Sequence, residues 1–329
     1  MNVNRREFLL GGGATVACGA GSLGCAAAVQ GNAADAGCGG GASLSVFVSD
    51  VHVKPGRYEV EKFRRVVDDV LAMRPLPANL VCFGDLAWVY GKKEDYRESL
   101  PMLKRLEAAR IKVTVGMGNH DHRANFLEFW PEYVKRTLVP GRIVTKTDLG
   151  SCDLLMLDTL WENTLDESKM CKVNGQLNGD QWDWLKAELP KWPRPVIVAA
   201  HHPIEEIEDG DWKAFYSLLM EAPMVAGYIH GHAHVWATGN GHAWPGKGLL
   251  RKPDVPWGEK NLKRWLCLPS TGHWGDIGYV KFSTGPGFAR ADLVEYERYF
   301  LDPTSVSQSD RDILSENQGA HMTFRWSRA

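Results

Sequence analysis

An excess of charge of either sign is missing from this sequence: 38 lysines and arginines stand against 40 aspartates and glutamates, a formal net charge of −2. Without a basic excess nothing argues for a nucleic-acid partner, and without an acidic block nothing argues for a disordered tail. Cysteine is scarce. Of the seven, Cys18, Cys25 and Cys38 fall within the first forty residues, and no pair has zinc-ribbon spacing. Cys82 and Cys267 lie in apolar strand-like runs and read as small core residues, whereas Cys152 and Cys171 flank one segment and could pair in an oxidising compartment. No internal repeat or low-complexity segment occurs beyond the leader. With 44% hydrophobic and 24% charged residues, the 329-residue chain is that of an ordinary soluble globular protein.

The start of the chain differs from the rest. Asn4-Arg5-Arg6-Glu7-Phe8-Leu9-Leu10 precedes a Gly- and Ala-rich run that extends through Ala26-Ala27-Ala28, where small residues suit a signal peptidase. It looks like a twin-arginine export signal, which implies the twin-arginine machinery as a partner and a periplasmic or extracellular location. The Gly-punctuated run is too weakly apolar to span a bilayer well, so no transmembrane anchor is expected in the mature protein. Neither Cys18 nor Cys25 has the leucine three residues before it that a lipid-attachment box requires, which leaves a lipid anchor as a poorly supported alternative. Gly37 to Ala42 reads as a linker, giving a division into 1–43, leader and linker, and 44–329, one folded domain with a C-terminal extension.

Within that domain, Val60, Phe63, Val66, Val67 and Val70 recur at helical spacing and predict an amphipathic helix from about Tyr58 to Met73. A second helix ends near Arg110. Ile143–Thr145 and Leu154–Leu157 read as neighbouring strands, and Asn178 or Asp180 caps a helix running through Leu189. Strand, helix and strand then recur through His201, Trp212 to Glu221, and Met224 to Ile229. Such alternation, with antiparallel-looking pieces toward the end, predicts an α/β fold: a two-sheet β-sandwich flanked by helices.

Five short stretches carry the chemistry: Asp50-Val51-His52, Gly84-Asp85, Gly118-Asn119-His120-Asp121, His201-His202-Pro203 and Gly231-His232-Ala233-His234. Most follow an apolar, β-branched run such as Ser45–Val48, Asn79–Phe83, Lys112–Val115, Val196–Ala199 or Val225–Ile229, so metal-type ligands sit where buried strands end. The carboxyl edge of an open α/β sheet is where ligands gather. In this order and spacing the stretches resemble the calcineurin-like metallophosphoesterase superfamily, over about Leu44 to Ser270. Each motif alone is weak; five in sequence are specific.

The resemblance implies a binuclear metal site. One ion would be held by Asp50, His52, Asp85 and His234, the other by Asp85 as bridge, Asn119, His201 and His232. Mixed carboxylate and imidazole donors suit manganese, iron or zinc. Asp50 and His52, two apart in extended chain, would share one face. Two such ions lower the pKa of bound water from 15.7 toward ~7 and clamp the oxygens of in-line displacement at phosphorus, which makes phosphoester hydrolysis the expected reaction. His120, with Asp121 beside it to raise its pKa and orient the ring, is the expected general acid. Arg123 completes a Gly-Asn-His-Asp-x-Arg stretch similar to that of the superfamily's cyclic-nucleotide phosphodiesterases, and would contact phosphate. Where the purple acid phosphatases carry a tyrosine ligand, this chain has Trp88, which argues against a ferric-tyrosinate site. The Asp-x-Arg extension points instead to a small diester, a cyclic nucleotide or glycerophosphodiester, with a phosphomonoesterase or nuclease of the same superfamily, or a non-catalytic metal-binding scaffold, as the alternatives. His273, in a Gly-punctuated loop, is placed within reach of the substrate. His202, before Pro203, is expected to support the ligands, while His122, His230 and His321 read as surface or satisfied loop residues.

Overall fold

The computed structural model describes residues 42–162, 166, 168–177, 179–207, 212–238, 241–244, 248–251, 264–299 and 319–326. The expected leader and Asn178 as a helix cap lie outside them. In chain order the elements are β1 (Ser43–Val48), α1 (Tyr58–Ala72), β2 (Asn79–Cys82), α2 (Lys93–Ala108), β3 (Lys112–Val115), α3 (Arg123–Phe129), α4 (Tyr133–Arg136), β4 (Thr145–Asp148), β5 (Asp153–Met156), α5 (Gly179–Glu188), β6 (Val196–Ala199), α6 (Trp212–Glu221), β7 (Val225–His230), β8 (Ala237–Thr238), β9 (Gly241–Trp244), β10 (Gly248–Arg251), β11 (Arg264–Cys267), β12 (Gly275–Gly285), β13 (Phe288–Tyr299) and β14 (His321–Arg325).

Two six-stranded sheets form the sandwich, ordered β14-β13-β12-β1-β2-β3 and β4-β5-β6-β7-β11-β8. In the first, β1, β2 and β3 run parallel and β12 returns antiparallel against β1; in the second, β5, β6, β7 and β11 are parallel between antiparallel edges. The C-terminal strands are thus no appendage, since β11 belongs to one sheet and β12 to β14 make half of the other.

Strand pleating explains why both faces of these runs are apolar. In β1, Phe47 points between the sheets, while Val46 and Val48 face the helices; in β6, Ile197 and Ala199 point between the sheets, while Val196 and Val198 face α5 and α6. The helix layer over the first sheet is α1 to α3. The predicted face of α1, Val60, Phe63, Val66, Val67 and Val70, is buried there, each side chain contributing about 1.5–3 kcal/mol. Glu59 is buried with them. Cys152 and Cys171 do not pair: both are free, one packed between the sheets and the other in the helix layer over the first sheet.

Candidate metal centre

The ligand loops leave β1, β2, β3, β6 and β7 at their carboxyl ends, on one edge of the sandwich. Their backbone is not extended. Asp50, His52, Asp85, His232 and His234 have φ of +52°, +51°, +51°, +68° and +59°, and among the described residues Arg110 alone joins them as a non-glycine in that region. Each such residue costs about 1–3 kcal/mol, which surrounding structure must hold in place. Here Asp50 N donates to Gly84 O and His52 N to Asp85 O, at 3.2 and 2.9 Å. The expected extended Asp50-x-His52 pair is therefore corrected: left-handed turns, not strand alternation, aim both side chains into the site. Close approach of the loops needs Gly118, where any Cβ would collide with Asp85.

The first donor set is Asp50, His52 and His234, with Asp85 beside them. His52 Nδ1 donates to Trp88 O at 2.9 Å and His234 Nδ1 to Trp274 O at 3.1 Å, because a carbonyl can only accept. Both Nε2 atoms are thereby bare, yet they face each other at 3.3 Å. A cation between them satisfies both lone pairs at once. Around an ion with ligands at about 2.1 Å, neighbouring donors stand roughly 3.0–3.4 Å apart, and Asp50 Oδ1 lies 3.1 Å from His234 Nε2. The other Asp50 oxygen is occupied by the Ser49 hydroxyl and His232 N, at 2.6 and 3.0 Å.

His201 centres the second set. Its Nδ1 donates to Phe83 O, leaving Nε2 within 3.1 Å of Asn119 Oδ1, 3.2 Å of His232 Nδ1 and 3.3 Å of Asp85 Oδ2. The same Asp85 Oδ2 is 3.6 Å from His52 Nε2, so it faces both sets, whereas Oδ1 accepts His120 N at 2.8 Å. Burial would raise Asp85, but His201, His120 and His52 hold its carboxyl well below the usual range. Burial likewise works against a charged His201, and Asp85 and Asp50 carry it up to about 9. This is a field that draws cations. His202 has both ring nitrogens engaged, by Thr159 Oγ1 at 2.8 Å and Val173 O at 3.0 Å, and so braces the site as expected rather than ligating.

Further sequence expectations change. Asp121 turns away from His120: its carboxylate accepts from Ala87 N, the Tyr96 hydroxyl and Gly118 N, tying two ligand loops together, and burial followed by Asp85 raises it to about 6. The carboxylate near the His120 ring is that of Asp85, 3.9 Å from Nε2. Arg123 also faces elsewhere, donating to both oxygens of Asp158 at 2.7 and 2.8 Å, to Glu162 at 2.9 Å and to Leu160 O at 2.6 Å. A guanidinium so engaged holds the fold rather than a phosphate. Arg123→Leu strands the fully buried Asp158, so unfolding in denaturant should show a loss of about 3–5 kcal/mol. Burial works to raise Asp158, yet Arg123 holds it low, so this stability is present above the ordinary aspartate range and lost on acidification below it.

His122 is a buried loop residue whose ring is satisfied by Glu162 and Cys171, within the reading made of it, whereas His230 is buried at the end of β7 rather than at the surface or in a loop. His321 is exposed on β14, as read. His273 does reach the site. Its ring lies 4.9 Å from that of His52 and 4.6 Å from that of Trp88, and Nδ1 is 3.2 Å from Glu59 Oε1.

Sequence reasoning missed Glu206, whose Oε2 is 2.9 Å from His232 Nε2. Metal-bound imidazoles are commonly oriented by a partner on the far nitrogen; three carbonyls accept from His52, His201 and His234, and for His232 the Glu206 carboxylate is the charged group at that distance. The only signal was an acidic pair set between Ile204 and Ile207. Glu206→Gln should weaken the second ion about 10- to 100-fold in a metal titration while sparing the first; equal loss of both would deny it this role.

Comparisons with known proteins agree with this geometry. A model of the family described as calcineurin-like phosphoesterase matches residues 45–236. A probable cyclic nucleotide phosphodiesterase of Rhodococcus erythropolis is 32% identical over 145 residues, 43% of this chain and 44% of that protein. One from Synechococcus is 26% identical over 138 residues, 36% and 53% of the two chains. The chain therefore matches only about half the length of these relatives. A dimetal phosphatase from Danio rerio shares the fold, with a TM-score of 0.58 at 15% identity over 87% of this chain and 99% of that one. Since the family model takes in more than half of the residues, the chain belongs to the calcineurin-like phosphoesterase family.

Proposed function

We propose that this metallophosphoesterase is a phosphodiesterase acting on a small diester, a cyclic nucleotide or a glycerophosphodiester. The observation that carries the reading is Asp85 Oδ2 shared between two complete donor sets, with the non-ligand imidazoles of His120 and His273 flanking His52 at centroid distances of 4.8 and 4.9 Å. Two imidazoles beyond the ligands give a diester's two ester arms separate partners, where a monoester has one arm. The names of the two curated relatives support the same substrate class, although neither match extends over half of this chain.

Asp50, His52, Asp85 and His234 would hold one divalent ion, and Asp85, Asn119, His201 and His232 the other; manganese, iron and zinc all suit these donors. Such a pair supplies water acidified toward neutral pH and positive charge facing the phosphoryl oxygens. The residues do the rest. Trp88 O, Phe83 O and Trp274 O keep the ligand nitrogens of His52, His201 and His234 bare and aimed, and Glu206 faces the far nitrogen of His232. His120, held by its backbone on Asp85 Oδ1, faces the departing oxygen and gives it a proton. Arg123, sequestered by Asp158 and Glu162, takes no part at the phosphate.

Metal-reconstituted protein offered cyclic nucleotides, glycerophosphodiesters and phosphomonoesters should show its highest kcat/KM on a diester. Turnover of monoesters alone would sink the proposal.

A further inference from the structure

His273 belongs to neither donor set, and its surroundings fix more than its position. The loop that carries it is docked on the loop of Asp50: Thr271 N donates to Ser49 O at 2.8 Å, Gly272 N to Asp50 O at 3.3 Å, Ser270 Oγ to Asp50 O at 2.9 Å, and His273 N to Ser270 Oγ at 3.0 Å. A Cβ at Gly272 would strike the Val51 carbonyl, so this approach requires glycine. The ring therefore stands beside both imidazoles of the first donor set, 4.9 Å from His52 and 5.7 Å from His234.

Its tautomer is fixed as well. Glu59, buried on α1, accepts from Arg57 through Nε at 3.1 Å and a terminal nitrogen at 3.2 Å, and receives His273 Nδ1 at 3.2 Å. An ionised carboxylate only accepts, so Nδ1 carries the hydrogen. In the neutral ring Nε2 is then an acceptor, and it has no partner among the described residues. Arg57 is itself steadied against Trp88, 3.9 Å above the ring centroid.

An acceptor next to the phosphoryl site is the wrong partner for a phosphate oxygen and the right one for a hydroxyl a few bonds away. We propose that His273 Nε2 accepts a hydrogen bond from a hydroxyl on the alcohol arm of the substrate, so that the site prefers a hydroxyl-bearing arm such as ribose or glycerol to the same arm without it. Glu59 and Arg57 are positioning residues for that contact. The inference rests on the phosphoester reading above and narrows its substrate class.

Matched pairs test it: 3′,5′-cyclic AMP against its 2′-deoxy analogue, and glycerol phosphate against propyl phosphate. The ratio of kcat/KM within a pair should favour the hydroxyl by about 10- to 100-fold in the unaltered protein, the size of the penalty for leaving an acceptor of the site without its partner. It should fall toward unity in His273→Phe and shrink several-fold in Glu59→Gln, whatever the absolute rates. A ratio near unity without substitution overturns the inference but leaves diester hydrolysis standing; turnover of monoesters alone overturns the diester reading, while the glycerol pair still decides for or against His273. Nitrogen NMR of the histidine rings in the full chain gives a readout independent of turnover. Hydrogen on Nδ1 of His273 is expected, and hydrogen on Nε2 would overturn the assignment.

Discussion

Asp85→Asn should strip the centre of both ions, and with them nearly all activity. The reason is more specific than loss of a negative charge. Oδ1 is committed to the His120 backbone, so the single atom Oδ2 serves both donor sets, 3.6 Å from His52 Nε2 and 3.3 Å from His201 Nε2. An amide in the same pose either places a neutral oxygen there, with no charge to share between two dications, or turns its NH₂ group toward them. Both affinities fall together, by more than the 10- to 100-fold that accompanies loss of an outer partner. Asn119→Ala is the contrast, because Asn119 Oδ1 stands on the second set, 3.1 Å from His201 Nε2. That variant should keep the first ion and bind the second weakly. Metal analysis of the two purified variants checks the pair of results, and retention of two ions by Asp85→Asn would remove the bridge assignment.

The order of strands and helices could be read because it is local. The face of α1 follows from the spacing of five apolar residues, and the observed helix, Tyr58–Ala72, ends one residue before the expected bound. That the seven expected ligands gather at one place was legible for a different reason: residue type and order survive without knowledge of the backbone that carries them. That backbone was not legible. Nothing in the propensities of Asp50, His52, Asp85, His232 and His234 announces left-handed φ, since neighbouring loops impose it through hydrogen bonds such as Asp50 N to Gly84 O.

Side-chain partners distant in sequence were lost for the same reason. Arg123 looked available for phosphate because Asp158 and Glu162, more than thirty residues away, are brought to it only by the second sheet. Ile143 failed to begin a strand where its β-branching suggested, because its N–H goes to the same Asp158 at 2.8 Å. Asp121, adjacent to His120 in the chain, is directed oppositely by the turn that starts at Gly118. Proximity along the chain was in that instance the wrong guide to electrostatics, and Asp85 took the place assigned to Asp121.

His120 tests what remains of the acid–base assignment. Unlike His52, His201 and His234 it has no backbone carbonyl on its ring: Nδ1 is buried without a partner among the described residues, and Nε2 stands 3.9 Å from Asp85 Oδ2. Burial and the surrounding imidazoles lower its affinity for a proton, with Asp85 working in the other direction. That leaves a smaller share of the ring protonated at neutral pH, the opposite of the rise expected from Asp121, so the acid role is tested through the leaving group, because the need for a proton depends on what leaves. An alkoxide departing from ribose or glycerol requires protonation; nitrophenolate departs without it. His120→Ala should therefore slow alkyl diesters by about 10²–10⁴, the usual size of a general-acid contribution, and nitrophenyl esters clearly less, with two ions retained. Equal losses on both substrates with metal intact would make His120 a stabiliser of charge on the phosphoryl oxygens. Equal losses with metal missing would make it a support for the ligands instead, acting through the backbone contact to Asp85 that the two residues share.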